Sequence, residues 1–117
     1  MICFVIGYST ANQALIIESK NYGFENYTSV IMYDAEIGPT SNDIYTYSRL
    51  QDSLAQTFVG ITREESNDTL VWSNIYQGNG AIETFTVDST ENYIYYVVKQ
   101  SNVFELAQIY ANNGTLI

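Results

Sequence analysis

Three asparagines open N-x-[ST] triplets: Asn26-Tyr27-Thr28, Asn67-Asp68-Thr69 and Asn113-Gly114-Thr115. That pattern is the acceptor for N-linked glycans in secreted chains. The same residues are also turn chemistry, because an Asn side chain can mimic a backbone turn and a following Gly tolerates positive φ. Both readings put the triplets on solvent-facing turns, and glycosylation at Asn26, Asn67 or Asn113 additionally requires secretion. Carboxylates cluster at Asp34-Ala35-Glu36 and at Asp88-Ser89-Thr90-Glu91-Asn92. Neither cluster has the D-x-[DN]-x-[DN]-G spacing and distal Glu that wrap a calcium ion. They read as solvated surface, and Arg63-Glu64-Glu65 reads as a charged loop tip. No metal site and no cofactor is expected.

Catalytic sets are equally thin. The chain of 117 residues contains no histidine, which removes the commonest general base and the commonest metal imidazole. Serines abound without a Gly-x-Ser-x-Gly elbow. Gly78-Asn79-Gly80 lacks the third glycine and following helix of a phosphate cradle. Paired carboxylates could serve glycoside hydrolysis, yet nothing in the sequence selects a pair at the required separation. The reading is a non-enzyme. A net charge of −9 opposes nucleic-acid phosphates and anionic lipid surfaces, so neither partner is expected. The lone Cys3 lies in the apolar run Ile2-Cys3-Phe4-Val5-Ile6 and reads as a small buried hydrophobe. That run is too short and lacks the basic flank of a signal peptide, and no membrane insertion is expected.

The elements that would position these residues are strands. Ile2 to Ile6, Ile44-Tyr45-Thr46-Tyr47 and Ile94-Tyr95-Tyr96-Val97-Val98 are β-branched and aromatic, and the latter two follow turn formers. Ala81 to Val87 alternates apolar and polar residues, the period of a half-buried strand. Thr69 to Tyr76 and Val103 to Tyr110 behave similarly. Long helical periodicity is absent, and hydrophobic residues make up 46% of the chain, enough for a core. The expected fold is all-β and antiparallel.

Internal similarity sharpens this. Ile2 to Ile6 aligns with Ile94 to Val98, and Asn12 to Ile17 with Phe104 to Ile109. Asn42-Asp43-Ile44-Tyr45 resembles Asn92-Tyr93-Ile94-Tyr95, and Asn67-Asp68-Thr69-Leu70-Val71 resembles Asn113-Gly114-Thr115-Leu116-Ile117. The turn asparagines Asn21, Asn67 and Asn113 recur every 46 residues. The units then run over 1–20, 21–66 and 67–112, with 113–117 starting another. A four-stranded unit of that length is the size of a propeller blade, and the chain resembles β-propeller repeat proteins, with N-x-I-Y opening a strand and N-G-T-L turning into the next unit. Neither the Gly-His and Trp-Asp pairs of WD40 blades nor the kelch double glycine is present.

The resemblance implies about two and a half propeller-like blades; a single β-sandwich is the alternative. It further implies a non-enzymatic structural or protein-interaction segment of a larger protein. Its partners would be other blades of the same chain or neighbouring subunits. The triplets add an expectation of an extracellular or cell-surface setting, with a cytoplasmic one left open. Two other functions stand beside it: a carbohydrate-binding module that takes glycans, and a filament or capsid subunit completed by strands of its neighbours. Of the eleven tyrosines, Tyr45, Tyr47, Tyr93, Tyr95 and Tyr96 occupy equivalent strands. They read first as inter-sheet packing and second as a contact surface, since tyrosine binds at low entropic cost. Alternation sends Tyr93 and Tyr95 to one face and Tyr96 to the other.

Overall fold

The computed structural model describes residues 3–8, 14–20, 24–78, 82–100 and 102–117. The described residues form nine strands: β1 (Cys3–Tyr8), β2 (Ala14–Lys20), β3 (Ser29–Ile37), β4 (Ile44–Gln51), β5 (Thr57–Glu64), β6 (Leu70–Gln77), β7 (Ile82–Val87), β8 (Tyr93–Gln100) and β9 (Val103–Tyr110). The fold is all-β. All pairings between strands are antiparallel, in a two-stranded sheet β1-β2, a four-stranded sheet β3-β4-β5-β6 and a three-stranded sheet β7-β8-β9. Each sheet is a meander whose neighbours in sequence are neighbours in space, which short hairpins permit.

Turn residues set the hairpins. Between β7 and β8, Asp88 Oδ1 accepts the N–H groups of Asn92 at 2.9 Å and Tyr93 at 3.1 Å. Between β4 and β5, Asp52 Oδ1 accepts those of Leu54 and Gln56, both at 2.9 Å. After β5, Asn67 Oδ1 accepts Thr69 N–H at 3.1 Å, with Asp68 at φ 74°. After β9 the motif returns: Asn113 Oδ1 accepts Thr115 N–H at 2.9 Å, with Gly114 at φ 72°. These side-chain caps stand in for backbone hydrogen bonds that the reversing chain gives up.

The similarity in sequence has a counterpart in register. Ile37 pairs with Ile44 as Val87 pairs with Ile94. A register shift falls between Met32 and Asp34 on β3, and another between Ile82 and Thr84 on β7. They lie at the same distance from their hairpins. Glu64 pairs with Leu70 in the four-stranded sheet, and Ile109 bridges to Leu116 beside the three-stranded one.

One pairing differs from the sequence reading. The unit over 67–112 groups the strand of Thr69 to Tyr76 with that of Ala81 to Val87, whereas β6 pairs with β5 and closes the preceding sheet. The passage from β6 to β7 therefore runs between sheets. Gly78 lies close to both sheets, where a Cβ would stand 3.3 Å from Val59 of one and 3.6 Å from Val98 of the other. Ile2, Asn12, Asn21, Asn79, Gly80 and Ala81, which the repeat reading used, lie outside the described residues.

The main core lies between the four- and three-stranded sheets. Tyr45, Tyr47, Val59, Ile61 and Tyr76 meet Phe85, Ile94, Tyr96, Val98, Ile109 and Ala111 there. Stacked rings cross this interface from Tyr47 to Phe85 at 5.8 Å. A second cluster covers the opposite face of the four-stranded sheet, where Phe24 and Leu50 pack with Tyr27, Val30 and Phe58. Gly60 admits the Phe24 ring, whose Cζ would lie 2.8 Å from any Cβ at that position. Each fully buried Leu, Ile or Phe side chain contributes about 1.5–3 kcal/mol.

Candidate functional site

Alternation along β8 and β9 divides their side chains cleanly. Ile94, Tyr96, Val98 and Ile109 face the core at 0–4% exposure. The other parity carries Tyr93, Tyr95 and Val97 on β8, opposite Tyr110, Gln108 and Leu106 in register. Phe104 follows at the far end of β9, and Thr84 and Thr86 extend the face onto β7. Phe104 is 61% exposed, Leu106 71% and Tyr110 41%. Lys99 holds the same parity at the end of β8, opposite Phe104 in register, and the chain as a whole is strongly acidic. The Tyr93 ring lies 5.8 Å from Tyr110 and 6.3 Å from Tyr95. Gln108 Nε2 donates to the Tyr95 hydroxyl at 3.1 Å, which fixes the amide on the face. Such an arrangement offers aromatic rings, hydroxyls and one amide to a flat partner.

Of the five tyrosines expected as a contact surface, the structure leaves two on it. Tyr93 and Tyr95 are half-buried on the outward face, with Tyr96 on the opposite side. Tyr45, Tyr47 and Tyr96 are 0%, 2% and 3% exposed, because the sheets close over them. They pack the core. Asn26, Asn67 and Asn113 are all exposed on turns, as an acceptor of any kind requires.

A second constellation ties the sheets together at one end, and it centres on Glu91. This residue leaves the β7–β8 turn at φ 59° and turns its carboxylate inward, at 4% side-chain exposure. Oε1 accepts the N–H groups of Thr40 at 2.9 Å and Ser41 at 3.0 Å, and the Thr40 hydroxyl at 3.2 Å. Oε2 accepts the Tyr45 hydroxyl at 3.0 Å and Arg63 Nη2 at 3.3 Å. Arg63 Nε reaches Asp43 Oδ2 at 2.7 Å, and its Nη1 donates to the Ala111 carbonyl at 2.9 Å. Trp72 Nε1 donates to the same carbonyl, also at 2.9 Å. Burial opposes the ionised carboxyl of Glu91, but hydrogen bonds from Ser41, Thr40 and Tyr45 outweigh it and hold the group at about 2. Burial, then the bond to Glu91, pushes the Tyr45 hydroxyl above the usual phenol range.

Sequence reasoning placed Glu91 in a solvated acidic cluster and Arg63-Glu64 at a loop tip. The structure corrects both. Arg63 and Glu64 belong to β5, Glu64 is 4% exposed, and the partners of Glu91 lie in another sheet. Among the described residues no group of three His, Cys, Asp or Glu side chains is arranged to hold a metal ion. Asp34 stays at the surface within β3 and accepts Ala35 N–H at 2.8 Å, while Glu36 accepts Val87 N–H at 3.2 Å across the sheets. Burial raises the Glu36 carboxyl, with that bond working against it. Every buried side-chain polar atom of the hub has a hydrogen-bond partner, so the network ties the two sheets together at this end. The comparisons with protein-family models, curated proteins and solved structures return no match.

Proposed function

We propose that this chain is a non-enzymatic, structural and protein-interaction segment of a larger repeat protein in which β-sheets stack face to face as in a propeller. The observation that carries the reading is a residue-by-residue correspondence between two faces. Aligned on their hairpins, the buried Tyr45, Tyr47, Ile61 and Val59 of the four-stranded sheet correspond to Tyr95, Val97, Leu106 and Phe104 of the three-stranded sheet. The first set is covered by the next sheet. The second repeats its apolar and aromatic character and faces outward. A face built to the same plan suits the same use, which is burial against a further sheet.

The exposed turn triplets favour an extracellular or cell-surface setting for this protein. Intact mass of the source protein tests the reading. A mass several times 13.2 kDa, with further units near 46 residues, is expected. A mass near 13.2 kDa rejects the larger protein. A shift on amidase treatment establishes the glycans. A second reading, a carbohydrate-binding module, is favoured by one observation: the Tyr93, Tyr95 and Tyr110 rings lie beside the anchored Gln108 amide. Rings and amides of this kind take up sugar faces and hydroxyls. Glycan-array binding that Tyr93→Ala and Tyr110→Ala abolish would establish it, and an array without signal would reject it.

A further inference from the structure

The inner face of the four-stranded sheet carries an arginine toward each end. Arg63 of β5 and Arg49 of β4 share the parity of the core residues Tyr45, Tyr47, Val59 and Ile61. Arg63 is neutralised by Asp43 and Glu91. Arg49 is half-buried, and its register neighbours Ile31 on β3 and Val59 on β5 are both apolar. Among the described residues its guanidinium has no ion pair and no hydrogen bond. Asp52, the nearest carboxylate along the chain, is engaged in the β4–β5 turn. Arg49 lines a cleft of about 670 Å³ together with Gln51, Gln56, Thr57 and Gln77. That volume is typical of small-molecule sites. Gln51 and Thr57 oppose each other in register, as the next inward-facing pair beyond Arg49 and Val59. The side chains of all four polar residues lack a hydrogen-bond partner among the described residues.

We propose that this cleft binds a small hydroxylated carboxylate, a sugar acid, whose charge is taken by Arg49. A half-buried cation without a counter-charge is unfavourable, and the planar guanidinium fork matches both oxygens of a carboxylate. The surroundings select the rest of the ligand. Glutamine amides and the Thr57 hydroxyl both donate and accept hydrogen bonds, as sugar hydroxyls do. A sulfate or ionised phosphate only accepts and would leave the amide oxygens unused. A polyanion would meet one cation at the cleft and a chain whose net charge is already −9. The site lies on the inner face of the four-stranded sheet, so it depends neither on the repeat reading nor on the outward tyrosines.

The probe is glucuronate, added to the intact chain and followed by NMR amide shifts, with glucose and inorganic phosphate as comparisons. Saturable shifts at Arg49, Gln51, Thr57 and Gln77 are expected. Glucose, which lacks the carboxylate, should bind at least about tenfold more weakly, since it forgoes the charge-assisted bonds. Arg49→Gln should cause the same loss, and Arg49→Lys, which keeps the charge without the fork, should restore part of the affinity. Gln56 is exposed and joins its turn through its backbone N–H, so Gln56→Ala keeps the fold and should weaken binding about threefold. No shift in tens of millimolar glucuronate, equal binding of glucose, tighter binding of phosphate, or full affinity in Arg49→Gln would each overturn the site. Shifts confined to Tyr93, Tyr95 and Tyr110 would overturn it as well and move sugar binding to the outward face.

Discussion

The four-stranded and three-stranded sheets share hairpins, register shifts and the turn that follows the third strand, yet they are buried differently. Ile61 is 0% exposed and its counterpart Leu106 is 71% exposed; Val59 is 2% exposed and Phe104 61%. The four-stranded sheet lies between two apolar clusters, so even Thr46, Ser48, Thr62 and Glu64 on its second face are buried. Among the described residues the three-stranded sheet has a core cluster on one face only. Backbone geometry therefore fixes where a side chain points, and the neighbouring layer fixes what that position contributes to stability. Apolar residues at matched positions are thus buried in one sheet and exposed in the other.

The largest effect should come from breaking the hub where the two sheets are joined. Arg63→Met removes the cation from Glu91 and Asp43 and leaves both carboxylates short of a donor. A loss of about 3–5 kcal/mol in urea unfolding is expected, because removing one partner of a buried pair strands the other. A loss below 1 kcal/mol would mean that the sheets hold together without the clamp. Titration should give a matching signature. The Glu91 carboxyl lies at about 2 when folded against an ordinary value of 4.5. Its stabilising contribution is complete above about pH 4.5 and is lost as pH falls toward 2, to a total of about 3 kcal/mol. Glu91→Gln should flatten that part of the stability profile.

Matched truncations test the faces directly. Ile61→Ala opens a cavity between sheets and should cost about 2–5 kcal/mol. Leu106→Ala, at the corresponding position, should change stability by less than about 0.5 kcal/mol in the isolated chain. Equal costs in thermal or urea unfolding would refute the difference in burial between the two faces.

Much of the scaffold was legible in the sequence. β4, β6, β7, β8 and β9 announce themselves through β-branched and aromatic runs, and the alternation of Tyr93, Tyr95 and Tyr96 gave their faces. β5 was hidden because Gly60 interrupts its apolar run, at a position where Phe24, from far along the chain, and Leu50 leave no room for a Cβ. β3 was hidden because Asp34-Ala35-Glu36 looks like a surface cluster, although Glu36 reaches β7. The hub was illegible for the same reason. Glu91, Arg63, Asp43 and Tyr45 come from two sheets, and no local pattern reports that a turn carboxylate faces inward. The pairing of β6 with β5 rather than β7 is a choice between two sequence neighbours, and the Asn67 turn that makes it resembles the other turns in composition.

The smallest contrast between matched sites lies in the repeated turn, where the same conformation is occupied by two different residues. Gly114 and Asp68 sit at φ 72° and 74°. At Gly114 a Cβ would come within 2.5 Å of Asn74 Nδ2 and 2.7 Å of the Trp72 ring, so Gly114→Ala meets strain and collision together. A loss of about 1–3 kcal/mol is expected. Asp68 already tolerates the left-handed backbone, as Asp and Asn do more readily than other residues with a Cβ. Asp68→Gly relieves that strain but adds freedom to the unfolded chain, and the two nearly cancel, leaving a change within about 0.5 kcal/mol. If Gly114→Ala proved as mild as Asp68→Gly, the turn after β9 would not be clamped between the sheets. The asymmetry between them would then reduce to the outward face alone.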